Sequence, residues 1–126
     1  MNFGVIQFDD YYNNIPQRLR HYAPGFASVS DDKEIYLMLF EFGEFMERNV
    51  NDDSIRTGCI LFLNEAIEQG QYKTEDAIVL QVFHQLYESP DTFRIIRSGL
   101  GLKALTVFDK SYSDYKENTP DNIYDE

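Results

Sequence analysis

The sequence predicts an all-α domain: a compact bundle of about five to six antiparallel helices built as helical hairpins, with no β-sheet. Three observations carry this. Apolar residues recur at helical spacing between regular caps and breakers. No stretch alternates apolar and polar residues with a period of two, and no Asn-Gly or Asp-Gly pair marks a hairpin. The three central helices begin about 21 residues apart, the spacing of antiparallel helices joined by short turns.

Each element has a local cause. Asp9-Asp10 opens a short first helix, and Ile15-Pro16 restarts the chain, because proline is tolerated at a first helical position. Gln17 to Tyr22 add a turn or two before Pro24-Gly25 closes the segment. Asp31 and Glu34 have capping-box spacing, and a helix follows to Arg48. Ile35, Leu39, Phe42 and Met46 form its stripe, which Met38 and Phe45 widen. Tyr36, Leu37 and Phe40 fall off that stripe, so this helix is apolar around much of its circumference and is expected to be central.

Asn51-Asp52 caps the next helix, whose apolar set includes Ile55, Cys59, Phe62, Leu63 and Ile67, and Gly70 ends it. Thr74 opens another, with Glu75 and Asp76 in its first turn and Ile78, Val82, Phe83 and Leu86 inward. Ser89-Pro90 starts a short helix that Gly99 stops. A last helix runs from about Gly101 to Ser111. Residues 1–111 therefore read as one domain, and 112–126 as a polar, acidic tail that frays or is disordered.

A chain of 126 residues has room for one domain, and its 43% hydrophobic content, with ten Phe and nine Tyr, supplies a core without disulfide or metal. Cys59 is the lone cysteine, which suits a reducing cytosol. The first residues have no basic region before an apolar core, and the longest apolar run, Ile35 to Phe40, is far short of a membrane span. The expected location is cytoplasmic. The formal charge is −11 and uneven: residues 31–76 hold twelve acids against four bases, while residues 91–110 hold two acids and four bases. Such a field repels nucleic acid and anionic membranes and favours a basic protein partner.

Candidate chemistry is thin. Cys59 and His84, on successive helices, are the one thiol–imidazole pair that neighbouring helices bring near, though a buried thiol and a half-exposed imidazole explain both without catalysis. Glu41, Glu44, Glu65, Glu68 and His84 supply metal-binding types, but neither His21 nor His84 has the Glu three residues before it that a di-iron bundle requires. Asn51-Asp52-Asp53-Ser54 lacks the glycine and terminal Glu of a calcium loop. Ser98-Gly99-Leu100-Gly101 lacks phosphate-loop spacing. Arg94, Arg97 and Lys103 are too few to track a nucleic-acid backbone. No catalytic residue, metal or cofactor is assigned.

Two surfaces remain. One is an acidic partner-binding face of Glu41, Glu44 and Glu47, with Asp52, Asp53, Glu65 and Glu68 nearby. The other is a tyrosine-rich N-terminal segment with Tyr11, Tyr12 and Tyr22, suited to an interface or to a core edge. Two alternatives to a protein-binding domain stay open. An inter-helix ligand pocket would be lined by Phe40, Phe62, Phe83 and Tyr87, and a homo-oligomer would bury apolar surplus at a dimer interface.

The segments Ile15-Pro16, Ile35 to Phe45, Phe62 to Gly70 and Ala77 to Phe83 resemble those of a family of small all-helical bacterial domains of unknown function. Members pair an apolar–Phe–acid helix with a helix ending near an acid-x-Gly turn, here Glu68-Gln69-Gly70. The resemblance covers residues 8–110, give or take, and implies a HEAT-like bundle. Small acidic domains of this kind resemble immunity proteins of bacterial toxin systems, and the resemblance carries no catalytic residues with it.

Overall fold

The computed structural model describes residues 9–28 and 31–118, and within them every regular element is a helix. The expected all-α bundle is what forms. There are six described helices: α1 (Asp10–Tyr22), α2 (Ile35–Arg48), α3 (Asp53–Gln69), α4, α5 (Pro90–Arg97) and α6 (Leu102–Asn118). Helix α4 comprises Tyr72–Ile78, a π-helical turn Val79–Phe83 and His84–Tyr87.

The expected break at Ile15-Pro16 does not occur, and α1 passes through both residues without interruption. Proline removes a single N–H from the ladder, while Tyr11, Ile15 and Leu19 continue one buried stripe through it. The Asp9 carboxylate caps this helix by accepting from the Tyr12 amide at 3.1 Å. The same carboxylate accepts from the amides of Gln71 (3.1 Å) and Thr74 (2.7 Å) and from the Thr74 hydroxyl (2.8 Å), so it holds the starts of α1 and α4 together. Asp9→Ala strips both caps and leaves the buried Thr74 hydroxyl without its acceptor. A loss of about 2 kcal/mol is expected in urea unfolding, the upper end for a cap. A loss below about 0.5 kcal/mol would show that water replaces the carboxylate.

Helix α2 starts at Ile35 rather than Asp31. Asp31 and Glu34 instead close a turn before it: the Glu34 amide donates to the Asp31 carbonyl at 2.8 Å, and the Lys33 amide to the Asp31 carboxylate. Asp52 caps α3 as expected, accepting from the Ile55 amide at 3.0 Å. Gly70 ends α3 with φ −79°, so the residue is needed for room rather than for a left-handed turn. A Cβ there would lie 2.4 Å from the Thr74 Cβ.

Helices α1 and α3 run in opposite directions, because Tyr22 at the end of α1 meets Gly58 near the start of α3 while Tyr11 reaches Glu65 further along. Helices α2 and α4 are not consecutive and run in the same direction. Gln85 donates to the Phe40 carbonyl and Ser89 to Glu47, while Tyr36 and Lys73, near the two starts, both meet the Tyr12 ring. Phe42 lies at the centre of the core, its ring edge-on to Phe26 and Phe62 at 5.7 and 5.3 Å.

The tail expected from Tyr112 is helix instead as far as Asn118, so the domain runs past residue 111. Phe108, Tyr112 and Tyr115 recur at helical spacing and pack on Tyr87 at 5.2, 5.0 and 5.2 Å. Ser113, Asp114 and Lys116 occupy the exposed side of those turns. The remainder of the expected tail, 119–126, lies outside the described residues.

Candidate functional site

Among the described residues, helix α2 is not covered on all sides. Tyr36, Leu37 and Phe40 are 38%, 49% and 40% exposed, which corrects the expectation of a central helix. The inner stripe of Ile35, Met38, Leu39, Phe42 and Met46 is buried. Phe40, Glu41 and Glu44 lie three, four and seven residues after Leu37, and the four form a single outward ridge. Tyr36 flanks this ridge, with its ring 6.3 Å from Tyr12, which lies under the Lys73 ammonium at 4.5 Å.

Three carboxylates border these apolar side chains. Glu41 accepts from the Ser28 hydroxyl and Glu47 from the Ser89 hydroxyl. Both donors are neutral, so the two carboxylates are positioned without being neutralised. Glu44 lies between them, exposed. Arg48 is the sole cation within α2. Apolar side chains bordered by like charge can desolvate a matching surface and select its sign.

The other acidic residues serve different ends. Asp52 is spent on its cap, and Asp53 pairs with Arg56 at 2.7 Å one turn on. Glu68 is exposed on α3. Glu65 stands apart from the α2 face and is turned toward α1. Its oxygens take Arg18 Nε and Nη2 at 2.7 and 2.8 Å, the Tyr11 hydroxyl at 2.8 Å and the Tyr22 hydroxyl at 2.6 Å. With its side chain 12% exposed, this is an internal ion pair. The Arg18 guanidinium lowers the Glu65 carboxyl to about 2; burial opposes that shift, and the two phenols add to it. Burial and the carboxylate raise Tyr11, while for Tyr22 the hydrogen bond to Glu65 raises it most. Two of the three N-terminal tyrosines are thus engaged internally.

Cys59 and His84 are not joined by a hydrogen bond. Cys59 is fully buried, and burial alone pushes its thiol up to about 12. His84 is half-buried between Tyr87 and Tyr115, at 5.6 and 5.0 Å, and burial lowers its pKa. A thiol in that state is not a nucleophile near pH 7. Native protein is expected to react with a thiol-specific chromogen at least about a hundredfold more slowly than urea-unfolded protein. Equal rates would show that the α3 interior opens readily.

The four aromatic residues of the alternative inter-helix pocket do not line one space: Phe40 is on the exposed side of α2, while the other three are packed in the core. Phe62 and Phe83 are fully buried, and Tyr87 donates its hydroxyl to the Phe108 carbonyl at 2.9 Å. A cleft of about 190 Å³ opens elsewhere, between α1 and the connection to α2, over Leu19, Phe26 and Met38. It falls below the roughly 300 Å³ at which ligand pockets begin. Among the described residues, no three His, Cys, Asp or Glu side chains converge as metal ligands would, and no described helix is long and apolar enough to cross a membrane.

Sequence reasoning found the carboxylates of the α2 face and missed its apolar part. Tyr36, Leu37 and Phe40 carried the signal, as apolar residues off the main stripe, and were read as buried. In comparisons with known proteins, no family model, no curated protein and no solved structure matches this chain.

Proposed function

We propose that this chain is a protein-binding domain that presents the outer face of α2 to a partner with a basic surface. The observation that carries the reading is the exposed Tyr36, Leu37 and Phe40 bordered by Glu41, Glu44 and Glu47. Interfaces concentrate their energy in buried aromatic and large apolar anchors, while a charged rim governs partner choice and association rate. Residues 31–76, which include these three, hold twelve acids against four bases, and the net charge of −11 favours a basic partner. A basic bacterial toxin held inactive by this face is a partner of that class, as the resemblance to immunity-type domains implies. The cytoplasm, where the lone thiol stays reduced, is the compartment this reading assigns.

Glu44→Lys is the cleanest charge test, because Glu44 is exposed and makes no hydrogen bond or ion pair among the described residues, whereas Glu41 and Glu47 also tether Ser28 and Ser89. Affinity capture with the native chain and with Glu44→Lys should differ in one or more basic proteins. Each should be released by salt and bind the variant about tenfold more weakly. Identical captured sets from the two chains would reject the reading.

A further inference from the structure

Resting on that reading, we infer that the partner engages α2 as an amphipathic basic α-helix laid along its outer ridge. The shape of the surface selects the occupant. A peptide that binds by adding a strand needs a sheet edge, and the described residues contain no strand. A helix instead reads anchors one turn apart, and Leu37, Phe40 and Glu44 lie at successive turns on the exposed side of α2.

The charge selects its composition. Glu41, Glu44 and Glu47 repeat every three residues, and Ser28 and Ser89 hold the two outer carboxylates in place. Lysine or arginine at the edges of an apolar stripe would meet them in register. The sequence of α2 points the same way. A helix apolar around most of its circumference is normally enclosed by others. Here α2 packs on α1, α3, α4 and Phe26, and among the described residues nothing covers its outer ridge at Leu37, Phe40 and Glu44. A docked helix supplies the missing side.

The test uses the full chain and two labelled Leu/Lys peptides of one composition. In one, Leu recurs at every third and fourth position; in the other the order is scrambled so that no apolar stripe forms. The patterned peptide should bind about tenfold more tightly at moderate salt. Leu37→Asp and Phe40→Asp should each abolish that preference, and because both side chains are substantially exposed, circular dichroism should show an unchanged fold. Equal affinity for the two peptides would overturn the helix inference and leave the acidic-face reading standing. Binding of neither peptide, even at low salt, would overturn both. A patterned-peptide preference that survives Phe40→Asp would place the contact elsewhere and overturn the assignment to α2. Self-association of the native chain that Phe40→Asp abolishes would make the face a contact between two copies and overturn a partner helix.

Discussion

Glu65→Ala is expected to lower the stability of the domain by about 3 kcal/mol, because one carboxylate accepts every hydrogen bond that Tyr11, Tyr22 and Arg18 direct at it. Tyr11 is 9% exposed, so its hydroxyl loses a partner that water reaches poorly. The Arg18 side chain is 36% exposed, and hydration softens its share of the loss. The pair also fixes a dependence on pH. Folding holds the Glu65 carboxyl at about 2 against an ordinary 4.5, so its contribution is complete above pH 4.5. That contribution declines as pH falls from 4.5 toward 2, because protonation then favours the unfolded chain. Glu65→Gln removes the titration while keeping the shape. Urea unfolding at steps from pH 6 down to about 2.5 should give the variant a shallower decline than the native chain across this window. Parallel declines would show that other carboxylates carry the acid sensitivity.

Gly58→Ala should cost about 3 kcal/mol, although alanine is the better helix former by about 1 kcal/mol. A Cβ at Gly58 would lie 2.2 Å from the Tyr22 carbonyl oxygen and 3.3 Å from its carbon, both backbone atoms that cannot turn aside. The end of α1 has to move, and with it the Tyr22 hydroxyl on Glu65. Gly43→Ala is the contrasting case. Its Cβ would come within 2.3 Å of Gln85 Nε2, the far end of a flexible side chain. Gln85 can swing away and give up its bonds to the Phe40 and Gln81 carbonyls. The gain in helix propensity offsets much of that loss, and the variant should stay within about 1 kcal/mol of native. Thermal melts of the two variants should rank them far apart, and the reverse ranking would reject the close approach of α1 to α3.

Local rules were legible where local chemistry decides the outcome. Asp52 caps α3, Gly70 ends it and Pro90 starts α5, each within a few residues of its cause. The same rules fail where a side chain answers a distant part of the chain. Ser89 precedes Pro90 as a cap should, yet its hydroxyl goes to Glu47. Glu65 and Glu68 have the spacing of one polar face, but Glu65 is claimed by residues 43 to 54 positions away. Average polarity hid the Phe108, Tyr112 and Tyr115 stripe, because three aromatic residues suffice for an inner face amid polar neighbours. For the candidate site, Glu41, Glu44 and Glu47 were visible from their period of three. The exposure of Leu37 and Phe40 was not, because apolarity records what a side chain gains on burial and not whether a neighbour exists to bury it.

The double role of Asp9 bears on the order in which the chain acquires structure during synthesis. Residues 9 to 22 leave the ribosome before the other described helices, but the carboxylate that starts α1 is completed by the amide and hydroxyl of Thr74, 65 positions later. The counter-ion of Arg18 arrives 47 positions later. A helix of 13 residues is marginal alone in water. Of the described helices, α1 is made first but is not secured at once: a nascent chain halted before residue 65 carries it without the counter-ion of Arg18, and one halted before residue 74 carries it without the Thr74 groups that complete its start.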